Sequence, residues 1–78
     1  MFVGIDVSKD RLDVAVHGEA TRLQVTRDER GLAELVVGLR ALSSPVRLVV
    51  MEATGGYERD VAAALAAAKI PVAVVNAR

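Results

Sequence analysis

The alternation of apolar and polar residues over the first third of the chain constrains its fold most. Phe2 to Val7 (FVGIDV) is apolar apart from Asp6 and reads as a buried strand. Arg11 to His17 alternates, with Leu12, Val14 and Val16 on one face and Asp13, Ala15 and His17 on the other. Thr21 to Thr26 alternates again, with Leu23 and Val25 opposite Arg22, Gln24 and Thr26. Polar turns at Ser8-Lys9-Asp10 and Gly18-Glu19 separate the three runs. This pattern predicts a three-stranded antiparallel meander.

The period then changes from two to 3.6. Leu32, Leu35, Val36, Leu39 and Leu42 recur at helical spacing, preceded by a capping box at Thr26-x-x-Glu29 or by a competing cap at Asp28. Ser43-Ser44-Pro45 stops this helix. Val46 to Met51 is apolar except for Arg47, the composition of a central parallel strand covered on both faces. After Glu52-Ala53-Thr54-Gly55-Gly56, a second helix is expected from Tyr57 to Lys69, burying Tyr57, Val61, Leu65 and Ala68. Pro71 fits only at a strand start or an edge, so Val72 to Val75 is a short last strand. The order β-β-β-α-β-α-β predicts an α/β mixed sheet, a meander plus two parallel strands, with helices packed on it.

Composition limits the chemistry open to such a sheet. The 78 residues contain no cysteine and a single histidine, His17, which excludes disulfides, thiolate sites and a histidine-rich zinc site. Ten basic and ten acidic residues balance. A dedicated nucleic-acid module usually carries a basic excess, so a phosphate-gripping surface is expected elsewhere. No apolar run reaches the roughly 18 residues of a membrane span, and no signal peptide opens the chain; a cytoplasmic location is expected.

Two carboxylates stand out. Asp6 interrupts an apolar strand and shares its face with Phe2 and Gly4, while Glu52 ends a second apolar strand. Burying ionised carboxylates is costly without a partner, and two of them about 4 Å apart repel by about 4 kcal/mol at an effective dielectric near 20. A divalent cation offsets both costs, because hard cations take oxygen ligands and assist phosphodiester cleavage. A bland alternative has Asp6 capping the Ser8-Lys9 turn and Glu52 capping the second helix.

Gly4-Ile5-Asp6-Val7-Ser8-Lys9 followed by Leu12-Asp13-Val14-Ala15-Val16 resembles the opening of the DEDD transposases of insertion sequence 110 type. Met51-Glu52-Ala53-Thr54-Gly55-Gly56-Tyr57-Glu58 resembles that family's second signature block. Val74-Val75-Asn76 resembles the end of its next strand, although Ala77 stands where the family usually continues with proline.

The resemblance implies a ribonuclease H-like, RuvC-like catalytic domain whose four acidic residues bind magnesium, with manganese as a substitute. Asp6 and Glu52 would be the first two; the others belong to a later Asp-x-x-Asp block that these residues do not contain. Residues 1–78 are therefore expected to be the N-terminal part of that domain, inactive alone. The family also carries a C-terminal domain with a serine implicated in strand transfer, and works with DNA and a structured RNA.

Other readings stay open beside this one. Thr54, Gly55 and Gly56 can offer amides to a phosphate at a helix start, or merely cap a helix and turn tightly. Ser8 and Lys9 can touch a scissile phosphate or simply solvate a hairpin, and Tyr57 can stack on a base or pack at the rim. Asp13, His17, Arg22, Arg27 and Arg30 read as solvated surface. Actin- and sugar-kinase-type phosphotransferases share the strand ending in Gly-Ile-Asp, but Val7-Ser8-Lys9-Asp10 lacks the glycine their phosphate loop needs. A non-catalytic fragment that self-associates through exposed sheet edges is the third class.

Overall fold

A computed structural model describes residues 1–76; Ala77 and Arg78 lie outside it. Strands β1 (Phe2–Val7), β2 (Arg11–Val16) and β3 (Arg22–Thr26) are followed by helix α1 (Glu29–Arg40). Strand β4 (Leu48–Glu52), helix α2 (Glu58–Ala67) and strand β5 (Val72–Val75) complete the order. They form one five-stranded sheet, β3-β2-β1-β4-β5. The first three strands pair antiparallel, and β1–β4 and β4–β5 pair parallel. The predicted mixed α/β sheet is the one observed.

The period-two pattern divides the sheet into unequal faces. Val3, Ile5, Val7, Leu12, Val14, Val16, Val25, Val49 and Met51 point to one side and are buried there against Leu35 and Leu39 of α1 and Val61 and Leu65 of α2. Both helices pack on that side. The other face is open, leaving Phe2 51% and Val50 37% exposed. The expectation that β4 is covered on both faces is thus corrected. A continuous apolar run records that one face is packed, and it cannot report whether anything covers the second.

The element ends follow local capping chemistry. Asp28, not Thr26, is the N-cap of α1: its carboxylate accepts from the Gly31 amide at 2.7 Å. The Thr26 hydroxyl instead donates to Asp28. The Gly31 amide and the Thr26 hydroxyl hold the Asp28 carboxyl below its ordinary range. Leu42 falls in the turn after α1 and not within it. Helix α2 is shorter than expected and ends in a Schellman arrangement. Ile70 N–H donates to Leu65 C=O and Lys69 N–H to Ala66 C=O, with Lys69 at a positive φ of 62°.

Gly31, in the first turn of α1, sits against the end of β3. A Cβ there would meet the Thr26 carbonyl oxygen at 1.7 Å. That neighbour is backbone and cannot yield as a side chain does. Gly31→Ala is expected to cost about 3 kcal/mol, or to prevent folding outright, as read from a urea denaturation midpoint. An unchanged midpoint would mean that the helix can lift off the strand freely.

Candidate metal and nucleic-acid site

Parallel strands β1 and β4 pair at a constant offset, Phe2 beside Leu48 through Ile5 beside Met51. The ladder ends there, and Asp6 and Glu52 are the residues that follow its last pair on the two neighbouring strands. Both residues are on the open face, at the C-terminal ends of their strands, where open α/β sheets receive ligands. They line one cleft of about 690 Å³ together with Asp13, Arg22, Val50 and Thr54. The cleft has depth because Gly4 and Ala15, a cross-strand pair, put almost no side chain on this face.

The carboxylates are solvated, which corrects the expectation of burial. Asp6 is exposed because the residues that alternate with it, Ile5 and Val7, are the ones the helices cover. Between exposed carboxylates the repulsion falls toward its value in water, about 1 kcal/mol at 4 Å. Neither side chain meets a hydrogen-bonding or ionic partner among the described residues. The bland alternative fails on the same geometry. Ser8 closes its own turn, with both N–H and hydroxyl donating to the Arg11 carbonyl, and Glu52 caps no helix.

The turn between Glu52 and α2 is held instead by Glu58, a residue outside the candidates that the sequence offers. The residue is 8% exposed, and its carboxylate accepts from the Thr54 amide at 2.7 Å and the Gly56 amide at 3.0 Å. These amides, the Thr54 one foremost, hold the Glu58 carboxyl below its ordinary range. Gly55 and Gly56, at φ of 61° and 100°, permit the turn that aims the amides inward. Thr54 donates its hydroxyl back to the Glu52 carbonyl at 2.9 Å. The turn is therefore a closed knot anchored to the residue that bears the second carboxylate. Two of the amides that could have met a phosphate are already engaged by a carboxylate. The spacing carries a signal for this, since Glu58 stands four residues beyond Thr54, but a helix start rich in glycine draws attention to anions from outside.

Asp13 reads from its strand pattern as plain surface, yet the hairpin register sets it directly opposite Asp6. Its carboxylate is tied down by Gln24 Nε2 at 2.7 Å and lies 3.7 Å from Arg11. Among the described residues, no three acidic or histidine side chains are grouped to hold a metal ion. Asp6 and Glu52 fit one as a pair of hard oxygen donors, a set that suits magnesium, which keeps several waters and uses one or two carboxylates. Of the remaining candidates, Lys9 and Gly55 are exposed, and Tyr57 is 39% exposed at the rim, not packed beneath α2.

A mixed sheet of this order, with a meander on one side and parallel strands on the other, is compatible with a ribonuclease H-like fold. Residues 3–78 match the model of the DEDD family of insertion sequence 110 type, described as transposase, and the chain belongs to that family. A search of curated proteins finds no match. Among the described residues, no helix is long and apolar enough to cross a membrane.

The Glu58 knot has a pH signature. A carboxyl whose folded pKa is depressed contributes stability that is fully present above its unfolded value, about 4.3, and is lost as pH falls through the folded value. The Tm of the chain should fall as pH drops below the ordinary carboxylate range, with Asp28 contributing in the same direction. Glu58→Gln should lower Tm at pH 7 and make the acid fall shallower. A parallel fall in the two proteins would remove Glu58 from this role.

Proposed function

We propose that this chain is the N-terminal part of a transposase catalytic domain, in which Asp6 and Glu52 hold a divalent cation, magnesium or manganese, for DNA strand cleavage and joining. The observation that supports the reading is that Asp6 and Glu52, the residues just past the last pair of the parallel β1–β4 ladder, line one cleft on the open sheet face. The family match leaves the phosphotransferase alternative without support.

The cation, when bound, would lend positive charge to a phosphodiester oxygen and to the attacking group. The chain's own residues do the rest. Asp6 and Glu52 would supply two anionic oxygen donors from the ends of neighbouring strands. The open sheet face admits a duplex or a displaced strand from the solvent side. Ser8 and Lys9 on one flank, and Thr54, Gly55, Gly56 and Tyr57 on the other, meet the sugar-phosphate backbone or a base. The Lys9 ammonium and the exposed Gly55 are the foremost of these. With the zero net charge of these residues, most phosphate contacts come from elsewhere in the assembly, whose second partner in this reading is a structured RNA.

Two carboxylates do not complete a four-residue site, so the 78 residues alone should bind manganese weakly and cut no DNA. Titration of the chain with Mn²⁺, followed by the electron paramagnetic resonance of the free ion, tests the ligands. Asp6→Asn and Glu52→Gln should each abolish the binding while leaving the far-ultraviolet circular dichroism unchanged. Unchanged manganese affinity in both variants would sink the assignment. Magnesium-dependent nicking of plasmid DNA by the purified chain would overturn the expected inactivity.

A further inference from the structure

The paired residues of β1 and β4 end at Ile5 and Met51, one step short of the two carboxylates. Beyond that point β1 is held by β2, through Asp6–Asp13 and Val7–Leu12, and β4 by β5, through Glu52–Val75. The ladder itself therefore stops setting the distance between the two strand ends where that distance begins to matter.

Arg27 spans this gap. Its backbone N–H donates to the Asp10 carbonyl at 2.9 Å, and its Nε donates to the Lys9 carbonyl at 2.6 Å. Both acceptors lie in the turn that leaves Asp6. Its Nη1 donates to Asp60 at 2.7 Å, and its guanidinium lies over the Tyr57 ring, 4.9 Å from the centroid. Both of these partners lie at the start of α2, in the segment that leaves Glu52. The side chain is only 19% exposed, which is not the solvated arginine that the sequence suggests. An arginine is suited to this place because its planar fork bonds to a carbonyl and a carboxylate at once while stacking on a ring.

We infer that Arg27 is a positioning residue for the Asp6–Glu52 pair, a brace that locks the Lys9 turn to the first turn of α2 and so sets the spacing of the two strand ends. It touches neither carboxylate and acts through the two turns. The inference rests on the proposed metal site for its purpose, while the brace can be tested without any metal.

The chain contains no cysteine, so Lys9→Cys can carry a single nitroxide label on an exposed side chain. The paramagnetic relaxation of the Ala53, Thr54 and Gly56 amides then reports the distance between the two turns. In an Arg27→Gln background these rates should change, while those of Val14 and Val25 in the meander should not. Arg27→Lys, which keeps the charge but not the fork, should fail to restore them. Asp60→Asn, which keeps the Lys9 contact, should give a smaller change in the same amides, and it decides the matter if Arg27→Gln does not fold.

Unchanged rates in the folded variants, with only Tm lowered, would overturn the brace. On the same proteins without the label, Arg27→Gln should bind Mn²⁺ about tenfold more weakly, as expected when a residue that orients metal ligands is lost. If the wild-type chain binds no Mn²⁺ at all, the metal reading fails, and the relaxation rates still decide the brace.

Discussion

The parallel pairing of β1 with β4 is the contact on which the rest of this structure depends. It closes a loop of about forty residues, and closing a loop that long has an entropic cost that the pairing alone would not recover. The recovery comes from α1, whose Leu35 and Leu39 are buried against the same sheet face as Val3, Ile5, Val49 and Met51. Asp28 starts that helix, and Gly31 lets its first turn sit against the end of β3. Once β4 is seated beside β1, the second crossover lays α2 on the same side. The opposite face is then left open by the same event.

That open face explains the character of the site. The two carboxylates remain in water, so the metal-free fold tolerates them at little cost. The turn after Glu52 is stabilised from within by the Glu58 carboxylate, which takes up two amides that an outside anion would need. A cation between Asp6 and Glu52 and a phosphate upon that cation therefore make a more coherent arrangement than a phosphate held by the glycine turn. On the proposed reading, the substrate would be recognised through the metal, with the loops as secondary contacts.

Much of the fold is legible in the sequence because the hydrophobic period states it. Val3, Ile5 and Val7, then Leu12, Val14 and Val16, name the packed face without ambiguity, and the change of period after Thr26 marks the first helix. The period cannot express coverage. Leu48 and Val50 look like core residues of a central strand, yet no helix lies above them. Asp6 and Glu52 stand in the two motifs that resemble the family, and both line one cleft just past the end of the β1–β4 ladder. Asp13 opposite Asp6 follows from the short Ser8–Asp10 turn and can be found by counting. Glu58 leaves a local signal in its spacing from Thr54, but Arg27 cannot be found so, since Lys9 and Asp60 are brought to it only by the tertiary fold.

On the proposed reading, one cation would sit between the ends of β1 and β4. Anomalous diffraction from crystals of the chain soaked in manganese tests it most directly. The expected peak lies between the two strand ends, about 2.1 Å from a carboxylate oxygen of both Asp6 and Glu52, the distance typical of a magnesium-like ion. Manganese bound only at other carboxylates, with Asp6 and Glu52 turned apart, would contradict it.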